Sequence, residues 1–339
     1  MSLSTARWLV FFSYCLVLSP IAAAEPFVPG TGVKVQQCGD DFEDPQWGYA
    51  MNGRKASHEQ DGDQRAPGGR SRNGRWYEGA KRGHPDAIRR IPTPPGGLEG
   101  SRGALMVATK YSGVPGQLSG EQMQDDLLMG VETRLGRAIP VSWSPSVVVR
   151  VYLPEFDRWE NRSGASFGVR ADVTGRNRDG EVEPYWPGMF ILFRSETSQK
   201  YDHDFAQITV RARENGSDVP GPVIEEPGWW TFGLSFTPDG KVHQYASPGI
   251  DDLTDEDHLY SSTPYGSRCL ALNNFFVNVA NLDNGKNWST PWTIDDAAVY
   301  VIPPRGQRVE NLTSRGSVAN RSGKSSSRTA LGKVQSALR

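Results

Sequence analysis

Short apolar runs, each closed by Gly, Pro, Asn or Asp, recur along the chain from residue 104 to residue 302. They cover residues 104–110, 126–132, 146–152, 166–173 and 188–194, then 206–213, 229–236, 241–245, 274–280 and 297–302, and they are rich in β-branched and aromatic side chains. That composition and length predict strands. Alternation is cleanest at 207–213, where a period of two sets Ile208 and Val210 on one face and Thr209 and Arg211 on the other. Thr237-Pro-Asp-Gly240 supplies both needs of a tight turn, Pro fixing φ and Gly taking the positive φ, so residues 229–245 form a β-hairpin. No segment sustains a helical period. Strands at this spacing predict an all-β chain with two packed antiparallel sheets, a sandwich or jelly roll.

The two ends do not belong to that pattern. Arg7 precedes the apolar run 8–18, which ends at Ser19-Pro20 and Ala22-Ala23-Ala24. A run so short falls below the ~20 residues that span a bilayer, and the small residues suit a peptidase, so residues 1–24 read as a secretory signal peptide and the product as secreted or periplasmic. No transmembrane segment is expected after cleavage. The body, residues 25–302, carries a net charge of −10, whereas residues 303–339 carry +7 and hold no large aromatic. Such a tail cannot bury enough surface to order itself and is expected to be disordered. Within the body, residues 44–101 are punctuated by Gly-Gly, Pro-Pro and Asn-Gly pairs and are locally basic, predicting a long irregular Gly/Arg/Pro-rich loop. Cys38 and Cys269 remain in the mature chain, and in an oxidising compartment they are expected to pair. Two free thiols or a metal pair are the alternatives, and with no Cys-x-x-Cys spacing zinc is disfavoured.

Three motifs resemble the concanavalin A-like lectin and glucanase superfamily, which includes laminin G-like jelly rolls. They are Asp40-Asp-Phe-Glu43 with Trp47 near the mature N-terminus, the hairpin 228–249 with its Trp-led strand, Asp-Gly turn and Tyr-bearing strand, and Trp292-Thr-Ile-Asp-Asp-Ala-Ala-Val-Tyr300 at the end. The resemblance covers residues 36–302 and implies a curved jelly roll. It also implies that the first strand lies close to strands of the C-terminal half, which would bring Cys38 near Cys269. A structural Ca²⁺ of that superfamily would map onto Asp41 or Glu43 and Asp295. The secretion signal, the Arg- and Gly-rich insertion and the Trp-Thr-Ile-Asp-Asp ending also resemble uncharacterised secreted proteins of planctomycete-type bacteria. This fold hosts lectins, hydrolases and lyases alike, so it does not choose an activity.

The residues narrow the choice. A retaining glycoside hydrolase needs two carboxylates about 5 Å apart, and the Glu-x-Asp-x-x-Glu strand that would supply them is absent. Nucleotide loops and a Gly-x-Ser-x-Gly elbow are absent too, which disfavours nucleotide chemistry and serine hydrolysis. Polysaccharide lyases of this fold neutralise a uronate carboxylate with Arg and an amide and move protons with His or Tyr. Arg194-Ser-Glu196 is similar to the Arg-Ser-Glu motif of alginate lyases, and Gln207-Ile208 to the start of their Gln-Ile-His motif, with His243 and Tyr245 two apart on one strand face. Thr209 stands where the His would be, and no Tyr-x-Lys-x-Gly-x-Tyr strand follows.

Sugar binding asks for less: aromatic faces to stack on and polar groups for hydroxyls. Tyr77, Tyr185, Trp186, Trp288, Trp76 and Trp292 are the aromatics expected at loops or their edges, and Arg72 and Arg75, with His84 nearby, would favour an anionic glycan. The sequence therefore leads to a secreted, non-catalytic module binding a polysaccharide or cell-surface glycan, with no cofactor needed for catalysis. The competing readings are a polysaccharide lyase on an acidic, uronate-containing glycan and a structural envelope protein.

Overall fold

The computed structural model describes residues 24–51, 55, 68–112 and 118–313. The expected signal peptide, apart from Ala24, and the tail beyond residue 313 lie outside them. In chain order the strands begin with β1 (Val33–Lys34), β2 (Tyr49–Ala50), β3 (Arg70–Ser71), β4 (Trp76–Glu78), β5 (Ala87–Ile91) and β6 (Ala104–Ala108). There follow β7 (Gln122–Gly130), β8 (Ile139–Pro140), β9 (Ser146–Leu153), β10 (Gly164–Arg176), β11 (Val182–Tyr185), β12 (Gly188–Arg194) and β13 (Phe205–Arg211). The last six are β14 (Asp218–Ile224), β15 (Gly228–Phe236), β16 (Val242–Pro248), β17 (His258–Ser262), β18 (Arg268–Leu282) and β19 (Trp292–Val301). Two short α-helices, α1 (Glu132–Leu135) and α2 (Val309–Thr313), and a few single 3-10 turns accompany them.

These strands make two antiparallel sheets packed face to face, the expected β-sandwich. The smaller has the order β17-β16-β15-β9-β19-β6-β5 with β1 added on β19; the larger has the order β14-β13-β12-β10-β18-β7-β4-β3-β2, with β11 on β10 and β8 on β18. All ten segments expected as strands are strands. The turn at Thr237 forms as anticipated, with Gly240 at φ +84° and its N–H donating to the Thr237 carbonyl at 2.8 Å.

Alternation fills the interior. Val147, Val149 and Val151 of β9 and Phe232, Leu234 and Phe236 of β15 face Val169, Ala171 and Val173 of β10 and Phe275, Val277 and Val279 of β18, all buried. Trp292 ties the sheets together: from β19 it stacks on Phe167 of β10 at 4.8 Å and meets Trp159 edge-on at 4.7 Å. Its full burial corrects the expectation that it is a loop-edge aromatic.

The stretch 44–101 is less irregular than its composition suggests. Described residues there form β2, β3, β4 and β5, and Asp40 gathers the part before β5: its Oδ2 accepts the indole N–H of Trp47 (2.9 Å) and of Trp76 (3.0 Å) and the Asn73 amide (2.9 Å). Trp76 is thus fully buried against Phe42, not an exposed sugar platform. At the other end, order continues past residue 303 to α2, where Leu312 is buried and Arg137 Nε donates to the Leu312 carbonyl at 3.1 Å.

The expected disulfide is not formed; Cys38 and Cys269 are both free and buried. Cys38 sits in the N-terminal segment laced to β19 through Val35 and the Asp40–Ala297 bridge, whereas Cys269 opens β18 in the larger sheet, opposite Gly175 of β10. Burial pushes both thiols up to about 12, so they are neutral and inert as nucleophiles at ordinary pH.

Because Trp292 bridges the sheets and no polar rearrangement can fill its place, Trp292→Ala should destabilise the fold by about 3–5 kcal/mol. Urea denaturation followed by circular dichroism measures this, and a loss below ~1 kcal/mol would show that the inter-sheet stack does not carry the load assigned to it.

Candidate functional site

The larger sheet turns its other face outward, and there the same alternation builds a groove of about 980 Å³. Arg170 and Asp172 of β10 line it, with Asn274 and Phe276 of β18, Asp126 and Leu128 of β7, Phe190 and Leu192 of β12, and Arg211 of β13. Tyr77 of β4, Lys81, Arg82, Trp186, Asp218 and Tyr265 also stand in its walls. Register explains the placement: Arg170 lies opposite Phe276 on one side and Gly188 on the other, and Phe276 lies opposite Leu128, which lies opposite Tyr77.

Arg170 is the groove's central cation. It is 5% exposed, packed over the rings of Phe190 (5.1 Å) and Phe276 (5.3 Å), and its Nη2 donates to the Trp186 carbonyl at 2.7 Å. Its Nε has no partner among the described residues. Burial draws its pKa down to about 10, opposed by Tyr265 and Asp126. Gly188 is required beside it, since a Cβ there would stand 2.4 Å from the Val169 carbonyl and 2.7 Å from the Arg170 side chain. A buried guanidinium with an unused donor is costly unless something anionic completes it.

Two polar pairs flank it. Asn278, one turn of the pleat from Phe276, donates to Asp126 while its own carboxamide oxygen is unpartnered; Asn274 donates to Asp172 at 3.0 Å. Burial raises the Asp172 pKa, against the hydrogen bonds of Asn274 and Asn273. Toward the far wall, Arg211 pairs with Asp218 and donates to the Tyr265 hydroxyl at 2.7 Å. Tyr265 adopts φ +60°, a left-handed conformation that costs a β-carbon residue on the order of 1 kcal/mol. The ring is held there over Gly216, where any Cβ would approach it to 2.5 Å. At the rim, Lys81 sits 3.4 Å above the Trp186 ring.

Of the residues singled out in the sequence, Tyr77 and Trp186 do line this groove. Arg194 and Gln207 belong to the same sheet and hydrogen-bond to each other at 3.1 Å, but they lie beyond Leu192, outside the groove lining. His243 and Tyr245 are on β16 of the opposite sheet, both 1% exposed, so the four proposed lyase residues are not assembled. His243 is held by Thr237 (2.9 Å) and Ser261 (2.6 Å), and Tyr245 packs on His258. Arg72 and Arg75 spend hydrogen bonds on carbonyls of Gln46, Gly39 and Gln36, and His84 is buried, its Nδ1 2.9 Å from the Pro85 carbonyl. Tyr185 is buried edge-on to Tyr265, not open to a ligand; Trp288 is half exposed on a loop away from the groove lining. Arg170, Asp126, Asn278, Arg211 and Tyr265 were not among the sequence candidates. For all of them but Tyr265, which sits in the turn Pro264–Gly266, the signal was the polar face of strands already recognised.

The expected calcium ligands meet only in part. Glu43 Oε1 and Asp295 Oδ2 both contact the Ser101 hydroxyl (3.3 and 2.8 Å), and burial pushes Asp295 up to about 6. Glu43 is otherwise taken by the backbone N–H groups of Arg102 and Gly103 and the Arg102 guanidinium, while Asp41 is exposed and accepts from the Glu43 N–H. Carboxylates satisfied by N–H and cationic donors do not fit a calcium site. Among the described residues no group of three or more His, Cys, Asp or Glu could hold a metal ion.

No protein-family model matches the chain, and no curated protein matches it. Solved structures do. An alginate lyase from Pseudomonas aeruginosa aligns with TM-score 0.37 and 11% identity, over 64% of this chain and 86% of the other. The marine PL7 alginate lyase from Zobellia galactanivorans aligns with TM-score 0.32 and 11% identity, over 61% and 79%. The binding domain of a paraclostridial mosquitocidal protein aligns with TM-score 0.32 and 7% identity, over 69% and 47%. No helix among the described residues is long and apolar enough to cross a membrane.

The location of His243 has a consequence for stability. Burial first, then neighbouring His258, lowers its pKa from 6.5 to about 4. As pH falls from 6.5 toward 4 the unfolded chain takes up a proton that the native imidazole refuses, so this residue's contribution to stability is lost over that window. His243→Gln should flatten the fall in urea midpoint between those pH values; an unchanged slope would show that the imidazole is not neutral and sealed in solution.

Proposed function

We propose that the groove binds an acidic, uronate-containing polysaccharide and cleaves it by β-elimination. The observation that carries this reading is Arg170: a guanidinium sunk between two aromatic rings on the groove floor, a fixed cation that suits a carboxylate. In β-elimination the proton beside the uronate carboxylate is removed and the glycosidic oxygen leaves from the adjacent carbon. Between those two events negative charge gathers on the carboxylate, where Arg170 would neutralise it. Asp126 and Asp172, which line the groove, would receive sugar hydroxyls. Tyr265, whose oxygen Arg211 already holds, is the candidate for taking or returning the proton. Tyr77, Trp186 and Phe190 offer faces for the sugar rings. We also place the protein outside the cytoplasm, on the N-terminal signal sequence.

One observation favours the second reading, non-catalytic binding to the same polymer: the described groove lining contains no histidine.

Uronate polymers separate the two when ultraviolet absorbance of the unsaturated product is followed beside affinity electrophoresis. Turnover is expected, with Arg170→Ala losing roughly tenfold or more in affinity. Tyr265→Phe should keep binding and lose about 10²–10⁴-fold in rate. Retention without any turnover, abolished by Arg170→Ala, would establish binding alone. Neither retention nor turnover on any uronate polymer would overturn the proposal and leave a structural envelope role.

A further inference from the structure

Away from the groove, Lys55 reaches into the edge of the sandwich and is 6% exposed. Its Nζ contacts Asp125 Oδ2 on β7, lies 3.0 Å from Asp86 Oδ1, and donates to the Thr109 hydroxyl at 3.1 Å and to the Tyr111 carbonyl. Asp125 is wholly buried, and its second oxygen, Oδ1, has no partner among the described residues. Asp86 is fixed from the other side: its Oδ2 accepts from the N–H groups of Lys110 (2.7 Å) and Tyr111 (2.8 Å) and from the Thr109 hydroxyl (3.0 Å). Gly83 leaves room for the lysine stem, since a Cβ there would stand 2.5 Å from the Lys55 Cβ.

A buried amine held against a buried carboxyl, with a second, partly exposed carboxyl beside the same amine, is arranged for condensation. We propose that Lys55 and Asp125 join in an intramolecular isopeptide bond, with Asp86 transferring the protons. Asp86 takes a proton from the ammonium, and the freed amine attacks Cγ of protonated Asp125. The Nζ–Cγ bond forms, the Cγ–OH bond breaks, and one water leaves; no oxidant or co-reactant is needed. The neutral amide replaces an ion pair that is expensive to bury and satisfies the site with an N–H donor facing Asp86. The environment supplies the acid form required, since burial pushes Asp125 up to about 7 against the opposing charge of Lys55. The bond would fasten the chain at residue 55 to β7, and it does not depend on what the groove binds.

Peptide mapping by mass spectrometry of the intact chain decides the matter. The expected result is a branched peptide joining Lys55 to Asp125, one water lighter than its two components, with no tryptic cleavage after Lys55. Asp86→Asn, which keeps the volume and the lysine, should give the two peptides unlinked, as should Lys55→Arg. Separate peptides from the wild-type protein, with cleavage after Lys55, would overturn the bond, and full linkage in Asp86→Asn would overturn the part given to Asp86.

Discussion

Alternation along an extended strand is the constraint on which the rest of this molecule depends. β10 and β18 lie at the middle of the larger sheet, and each serves two environments at once. Val169, Ala171, Val277 and Val279 go into the sealed interior, while Arg170, Asp172, Asn274 and Asn278 are delivered to the opposite face. A slip of one residue in their pairing would exchange the two sets, burying two charges and exposing the valines. Core packing therefore fixes the groove as firmly as it fixes the sandwich.

That firmness lets the groove hold groups that would not stay in place unaided. Arg170 keeps its guanidinium between Phe190 and Phe276, where desolvation opposes the charge, because rings on both sides and the Trp186 carbonyl leave it no other position. Tyr265 is kept in a left-handed backbone conformation by its hydrogen bond from Arg211, by the Tyr185 ring and by the gap that Gly216 provides. Strain of this kind persists where the surroundings over-determine a residue, and both residues face the same groove.

A single carboxylate plays a comparable part at the N-terminal side. Asp40 bridges to Ala297 of β19 through its backbone and receives Trp47, Trp76 and Asn73 through its side chain. The motif that made residues 40–47 resemble a first strand thus belongs to an anchor that draws part of the glycine-rich stretch onto the sheet. Charge-assisted bonds to two indoles stabilise short strands, β3 and β4, that have little propensity of their own. A composition full of Gly and Arg could not reveal this, because the partner lies more than thirty residues away in the chain.

The set of strands, the 237–240 turn and the all-β class were legible in the chain alone, because they follow from local period, branching and turn chemistry. The sequence also held several groove residues in plain view as the polar positions of those strands, as Arg211 illustrates. It could not say which polar faces meet. Arg194 and Gln207 matched short motifs yet lie past the groove, and His243 and Tyr245 share a strand face that the other sheet carries. Cys38 and Cys269, expected to bond, stand as separate buried thiols. Sheet order, register and the side of each sheet that packs inward decide these matters, and they arise from contacts between residues far apart in the chain, which no local pattern encodes.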